Sequence, residues 1–518
     1  MRRITTRATL SFLLLLLLLL PPAAAQTLDE RLREIDEYAA KAGREWGVPG
    51  FAVAVVKDDR VVLAKGYGVR QSGRPQPVDA DTLFAIASNT KAFTAAALAV
   101  LVDEGKLSWD DPVTKHLPGF QLHDPFVTRE LTVRDLLSHR SGLATFGGDL
   151  LWFETTYPRT EIIRRVRFLR PVSSLRSAYG YQNIMFLAAG EIVPAVTGRS
   201  WDDFVAERFF KPLRMARTTT RHADLLAAAN VAAPHNELDG KLRVIRYDNV
   251  DNAGGAAAIN SSASDMAEWL RLQLGRGAVD GRRLFSAQRS REMWTPHTVV
   301  SGVSESAERI NPTTHFNLYG LGWALNDYHG RKVVSHGGGL DGMVSRVALM
   351  PEENLGLVVL TNSETPLSNA LSNKIFDVFL GVPPRDWSAD YLERARAGRE
   401  RAAAEAKRVE DARVPNTKPS LAPAAYAGTY TGPMFGDARV AEENGRLVVR
   451  LVPSPNFVGD LEHWHFDTFR IKWREGITYP FPRGFVTFVL DAQGKVSEMK
   501  IDVPNPDFDF KELEFKKQ

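Results

Sequence analysis

The stretch Leu83–Gly105, LFAIASNTKAFTAAALAVLVDEG, places Ser88 and Lys91 three residues apart at the head of an unusually apolar run. From residue 92 to 102 the only polar side chain is Thr94. A helix that is apolar all round is buried on every side, so the run predicts a core helix entered at Ser88. Positions three apart share a helix face. A helix N-terminus also favours an anionic Ser Oγ, and a neighbouring lysine can take or stabilise the proton. A lysine tucked against a buried helix is costly unless it has such a job. The other Ser-x-x-Lys match, Ser497/Lys500, lies in the alternating stretch GKVSEMKIDV. That reads as a strand, where positions three apart point to opposite faces and cannot meet.

Working outward, FAVAVVKDDRVVLAKGYG (51–68) reads as two valine-rich strands joined by a tight turn at Asp58-Asp59. The region from about 90 to 275 is mostly helical in pattern, and strands return from about 320 in YGLGWALND, RKVVSHGG, MVSRVALMP and LGLVVLTN, before a helical segment at 366–380. Strands that open and close one unit, with helices between them, bring the ends of a single sheet together. The expected fold is therefore an α/β domain with an all-α insertion, over residues 30–383. A charged helical linker (384–419) leads to short strands with Gly turns over 420–518, the pattern of a small antiparallel β-barrel.

Composition is that of an ordinary globular protein, 44% apolar and 25% charged, which removes disordered and fibrous readings. The absence of cysteine excludes a thiol nucleophile, disulfides and a lipoprotein anchor. The first 25 residues carry Arg2, Arg3 and Arg7, an apolar run from Leu10 to Leu20, and Ala23-Ala24-Ala25 before Gln26. That is the order of a secretory signal peptide cleaved near Ala25/Gln26, and the run is about half of the roughly 20 residues a spanning helix needs. The expectation is an exported protein, periplasmic or secreted, with no integral membrane segment after cleavage. Beyond that segment the charges balance at 62 basic and 62 acidic residues, with no long basic run to suggest nucleic-acid binding.

Two further elements accompany Ser88 and Lys91. AYGYQNIMFLAAGEIVPAVTG places Tyr181 and Asn183 just before an apolar helix, and RKVVSHGGGLDG runs a strand into His336-Gly337-Gly338-Gly339. Glycines at a strand edge let a substrate backbone approach and leave an N–H free for an oxyanion. A second Tyr-x-Asn, Tyr247/Asn249, sits in the loop-like VIRYDNVDNAGG and shows that this pattern also arises by chance.

Ser-x-x-Lys, then Tyr-x-Asn, then a strand with a basic residue followed by Gly: this order resembles the β-lactamase and penicillin-binding-protein superfamily of serine hydrolases. The nearest likeness is to class C β-lactamases and related esterases and D-amino-acid peptidases. LTVRDLLSHRSGL (131–143) and INSSASDMAEWLRLQL (259–274) add to it, over roughly residues 30–380. The part containing DLEHWHFDTF (460–469) is similar to the lipocalin-like barrel attached to some of these hydrolases.

The resemblance implies acyl transfer. Ser88 would form an acyl-enzyme, and Lys91 and Tyr181 would share the proton work, with Tyr181 the expected base in the class C pattern. Asn183 would bond the substrate amide, and the N–H groups of Ser88 and Gly339 would bind the oxyanion. The substrate would be a small molecule or short peptide, and neither a metal nor an organic cofactor is implied. One departure matters. Where the family carries Lys-Thr-Gly or Lys-Ser-Gly, this chain has His336-Gly337-Gly338. A largely neutral histidine offers less to a substrate carboxylate, so an esterase or an amidase/peptidase is expected over a true β-lactamase or D,D-carboxypeptidase. A preference for carboxylate-bearing substrates should strengthen below about pH 6.5 as His336 protonates.

Rival readings remain. HGGG occurs in the oxyanion segment of some α/β-hydrolase lipases, but those need a later Gly-x-Ser-x-Gly elbow, which this chain lacks. His463, His465 and Asp467 would share a strand face and are compatible with a metal site, although satisfied barrel residues are the plainer reading. His139 and His329 read as structural or surface positions. A catalytically silent binding protein is a further alternative, although it would be expected to have lost Ser88, Lys91 or Tyr181. The barrel either lines the cleft or binds something independently, and its aromatics (Trp464, Phe466, Phe469, Trp473, Phe481, Phe485) read as core.

Overall fold

A computed structural model of the chain describes residues 26–238, 240–300, 304–477 and 481–518. The expected signal segment, 1–25, lies outside the described residues. The valine-rich pair forms strands Gly50–Lys57 and Arg60–Gly68, and Asp58 and Asp59 between them have φ of 51° and 61°. Two successive left-handed residues are what a two-residue hairpin loop requires to match strand twist.

Strand Leu355–Thr361 runs antiparallel to Gly50–Lys57, in register from Phe51↔Thr361 to Lys57↔Leu355, so the two ends of the domain do meet in one sheet. The eight strands lie in space as Arg60–Gly68, Gly50–Lys57, Leu355–Thr361, Met343–Met350, Arg331–Leu340, Ala324–Tyr328, Asn317–Tyr319 and Thr298–Val299. Both faces are covered. Val53, Val55, Leu357 and Val359 pack under helices Leu28–Trp46 and Leu367–Leu380. Ala52, Ala54, Val358 and Leu360 face helix Ala263–Leu274 and the inserted helices. This is the period-two alternation of strands, with each face given its own partner.

Inside the helical insertion, Thr90–Asp103 is buried from Thr90 to Leu101, as its all-round apolarity predicts. Phe93 stacks on Trp269 with ring centroids 3.6 Å apart, fixing this helix against Ala263–Leu274.

Helix Trp387–Asp411 buries only its first two residues and leads to a closed antiparallel barrel of eight strands between Gly428 and Lys517. Its lipocalin-like interior is filled by rings, among them Tyr426, Tyr430, Phe457, Phe469, Phe481 and Phe488. Phe466 departs from the expected aromatic core: it sits at a tight turn with φ of 48° and is 55% exposed.

The barrel does not hang free of the α/β domain and its helical insertion. Phe153 of the helical insertion packs on Phe508 at 4.3 Å between centroids and on Phe481 at 5.7 Å. Tyr157 Oη donates to the Phe435 carbonyl (2.7 Å), and Glu154 accepts from Asn456 Nδ2 (2.6 Å). Burying one large ring contributes about 1.5–3 kcal/mol, so this aromatic seam ties the two domains together.

Candidate active site

Ser88 sits in a single tight turn, Ala87–Asn89, between strand Phe84–Ala85 and helix Thr90–Asp103. Ala87 has φ of 47°, a left-handed conformation that costs an L-residue about 1–2 kcal/mol. The surroundings hold it there. Ile86 N–H donates to the Ile259 carbonyl (3.0 Å), Ser345 Oγ donates to the Ile86 carbonyl (2.6 Å), and Asn89 Nδ2 donates to Ser345 Oγ (2.8 Å). The turn is thereby pinned to the sheet on one side and to the helical insertion on the other, and Ser88 is left half-buried at the rim of a cleft.

Lys91 is fully buried, and its Nζ donates to Ser88 Oγ (2.9 Å), Asn183 Oδ1 (2.6 Å) and the Ala256 carbonyl (3.1 Å). Three acceptors use the three donors of an ammonium. Burial nonetheless pushes the Lys91 ammonium down to about 7, against the opposing pull of Asp149. Asn183 is expected to meet the substrate amide; its first role here is a bridge, since Oδ1 accepts from Lys91 and Nδ2 donates to Asp149 Oδ2 at 2.5 Å. Asp149 is itself buried, and burial pushes its carboxyl up to about 7.

Tyr181 lies over Lys91, with Nζ 4.8 Å from the ring centroid. Burial holds its phenol well above the ordinary tyrosine value, and the interaction with Ser88 opposes that only in part. This burial favours the protonated phenol at rest, against the expectation that Tyr181 is the base, whereas burial of Lys91 favours its neutral amine. His139 supports the ring at 4.2 Å between centroids. His139 Nδ1 accepts from Gln182 N–H (2.9 Å), which places the ring proton on Nε2. His139 is thus structural, as read from sequence, and its structural task is to set Tyr181.

The strand Arg331–Leu340 passes beside the turn. At Gly338 an added Cβ would stand 2.2 Å from the Ile86 carbonyl oxygen and 2.4 Å from Ser345 Oγ, whereas at Gly337 and Gly339 it would meet nothing within 4 Å. Gly338 is where backbone packs on backbone; Gly337 and Gly339 open onto the cleft. His336 is 5% exposed, and both ring nitrogens are engaged: Nδ1 with the Gly337 carbonyl (2.6 Å) and Nε2 with Tyr319 Oη (2.8 Å). The carbonyl can only accept, so Nδ1 carries the proton and Tyr319 donates to Nε2. Burial, reinforced by the nearby Lys91 charge, holds His336 down to about 3. Both effects, with the two engaged nitrogens, oppose the expected strengthening of carboxylate binding below pH 6.5, because His336 has no free N–H to offer.

The cleft encloses about 730 Å³, and its lining includes Ser88, Tyr181, Asn183, His336 and Gly337–Gly339. Asp248, Asp341 and Glu364 line it too, and the barrel supplies Asn505, Pro506, Asp507 and Phe508. Of the two readings of the barrel, the one in which it lines the cleft is what the structure shows. No lysine or arginine is among the described lining residues.

The decoy motifs fall elsewhere. Ser497 donates to the Val489 carbonyl in the barrel, and Tyr247 Oη to the Ala232 carbonyl. His463 is paired with the Phe466 carbonyl, His465 Nδ1 accepts from Val414 N–H, and Asp467 accepts from Ser420 and Tyr426, so these side chains serve the barrel. His329 is an exposed turn residue with φ of 47°.

With this geometry in place, residues 31–380 match the family model described as Beta-lactamase. The chain belongs to the beta-lactamase family. Residues 412–517 match a domain of unknown function. Among curated relatives of this beta-lactamase-family chain, an unguisins hydrolase of Aspergillus campestris is 32% identical over 414 residues, 75% of this chain and 74% of that one. Among solved structures, the octameric penicillin-binding protein homologue from Pyrococcus abyssi superposes with a TM-score of 0.61 at 21% identity, covering 94% of this chain and 100% of that one. That likeness extends through the barrel and concerns the fold. A D-stereospecific amidohydrolase from Streptomyces sp. matches with a TM-score of 0.52 at 25% identity, over 68% of this chain and 99% of its own.

Sequence reasoning missed several residues of this beta-lactamase-family cleft. Asp149 carries a signal in hindsight, a lone carboxylate between Gly147-Gly148 and the apolar Leu150-Leu151-Trp152. Tyr319 and the barrel loop at 505–508 carry none, because only tertiary packing brings them to Ser88.

Proposed function

We propose that this chain is a serine hydrolase working through an acyl-enzyme on esters or amides that are neutral or cationic near the scissile bond, of the esterase or D-amino-acid-amidase type. The observation that carries this reading is the make-up of the cleft wall, carboxyl groups without a basic side chain among its described lining. The cleft holds a serine bonded to a buried lysine at 2.9 Å, with Asp248, Asp341, Glu364 and Asp507 around it. Burial raises Asp341, Glu364 and Asp507, and the neighbouring carboxylates add to the rise at Asp341, so the wall takes on its charge as pH rises; once ionised it repels a substrate carboxylate and attracts an ammonium. A true β-lactamase or D,D-carboxypeptidase handles carboxylate-bearing substrates and is disfavoured for that reason. A silent binder would not need Ser88, Lys91 and Tyr181 gathered as they are.

In this reading neutral Lys91 accepts the Ser88 proton, and Oγ attacks the carbonyl. The N–H groups of Ser88 and Gly339 stabilise the oxyanion, and Tyr181 gives a proton to the leaving group while taking up the one that Lys91 received from Ser88, so that both return to their resting forms. Water then releases the acyl group. Lys91 acts only when unprotonated, so kcat/KM should rise with pH through an apparent pKa near its value of about 7 and level off above it. A profile flat from pH 5 to 9 would remove Lys91 from the base role.

The substrate reading is tested with p-nitrophenyl esters and anilides matched in size and carrying an ammonium, no charge or a carboxylate. The expected order of kcat/KM is cationic, neutral, anionic, with about tenfold, or ~1.4 kcal/mol, between the outer pair at low salt. Faster turnover of the anionic member would overturn it.

A further inference from the structure

Behind the cleft a chain of contacts runs from the barrel to the lysine. Glu512, on the short turn Phe510–Glu512 of the barrel, accepts the N–H of Gly148 at Oε2 (2.8 Å). The next residue is Asp149, whose Oδ2 receives Asn183 Nδ2 (2.5 Å), and Asn183 Oδ1 in turn receives Lys91 Nζ (2.6 Å). Asp149 and Lys91 are both fully enclosed, and Glu512 is half-buried at the domain boundary. The loop that carries Asp149 is short: Phe146 N–H donates to the Tyr181 carbonyl, and Gly148 has φ of 79°. Glu512 therefore fixes a peptide N–H directly before Asp149.

We infer that Asp149 is a positioning residue for Lys91, acting through Asn183, and that Glu512 makes the barrel part of the catalytic apparatus by holding Asp149's loop across the domain boundary. This rests on the serine-hydrolase reading above.

The electrostatic surroundings leave few alternatives. Lys91 is faced by Ser88, Tyr181, His139, His336 and Asp149. Burial holds both histidines well below their ordinary range and Tyr181 well above its own, so all three favour their neutral forms. Asp149 is the one titratable neighbour that acts on Lys91 as a charge, and once its own raised carboxyl ionises, near neutrality, it favours the ammonium. Asp149 is faced by Lys91 and Glu512; Glu512, itself raised to about 7 by burial, has Asp509 beside it. Removing the Asp149 charge while keeping its shape withdraws support from the ammonium, so Lys91 loses its proton at lower pH.

The test is the second-order rate of fluorophosphonate labelling of the full chain between pH 5 and 9, read by intact mass, for wild type, Asp149→Asn, Glu512→Ala and Glu512→Gln, with thermal melts of each. The wild type should show a rising limb near neutrality. Asp149→Asn should move that limb down by about one pH unit, a change that a merely structural role would not make. Glu512→Ala should lower the plateau about tenfold, and Glu512→Gln, whose amide oxygen still accepts from Gly148, should restore it. A limb unmoved in folded Asp149→Asn overturns the role of Asp149. Equal plateaus in all three Glu512 forms overturn the coupling to the barrel, and that arm stands even if Asp149→Asn does not fold. A wild type inert at every pH overturns the hydrolase reading, and this inference with it.

Discussion

Ser88→Ala is expected to lower kcat for any ester the wild type turns over by about 10⁵-fold, and to abolish the fluorophosphonate adduct, while the melting temperature stays within about 2 °C. Both halves follow from the same geometry. Ser88 Oγ is the atom that Lys91 Nζ reaches at 2.9 Å, and it stands at the rim of the cleft. Removing it leaves Lys91 with Asn183 and the Ala256 carbonyl as acceptors, so the buried lysine keeps most of its satisfaction. The left-handed Ala87 is held by the bonds of Ile86, Asn89 and Ser345, none of which involves the serine side chain. Residual turnover above a few per cent, or an adduct on the folded variant, would show that another nucleophile does the work.

The second large effect is expected at Gly338. An alanine there places a carbon 2.2 Å from a backbone oxygen and 2.4 Å from Ser345 Oγ, the hydroxyl that pins the Ser88 turn. Backbone cannot rotate out of the way as a side-chain tip can, so strand and turn must part by roughly 1 Å. Overpacking of this kind costs about 1–3 kcal/mol, and a misplacement of about 1 Å at a reacting centre can cost about 100-fold in rate. Gly338→Ala should therefore lower both the melting temperature and kcat/KM, the latter by about 100-fold. Gly337→Ala, with nothing within 4 Å of the new carbon, should melt as the wild type does. Equal melting of the two variants would sink the argument.

The two valine-rich strands, the buried helix after Ser88 and the division into sheet, helical insertion and barrel were all legible in the residues. Each rests on local pattern: period-two alternation, an uninterrupted apolar run, and turn residues at strand ends. Ser88/Lys91 could be told from Ser497/Lys500 for the same reason, because a helix brings residues three apart together and a strand does not. Local pattern gave no hint that burial favours the protonated phenol of Tyr181 or the neutral ring of His336. Those preferences follow from burial and from the partners each ring meets, and both are properties of the packed whole.

What the sequence by itself determined, then, is the order of elements and the choice of candidate reacting groups, since both are carried by short-range periodicity and by motifs whose members lie within a few residues. What only the tertiary structure decided is which neighbours those groups acquire. Asn183 lies 92 residues from Lys91, the Phe508 loop comes from another domain, and Glu512 reaches Gly148 across 364 residues of chain. Proton affinity and cleft charge are sums over such distant neighbours at a few ångströms, and no local window of the chain contains them.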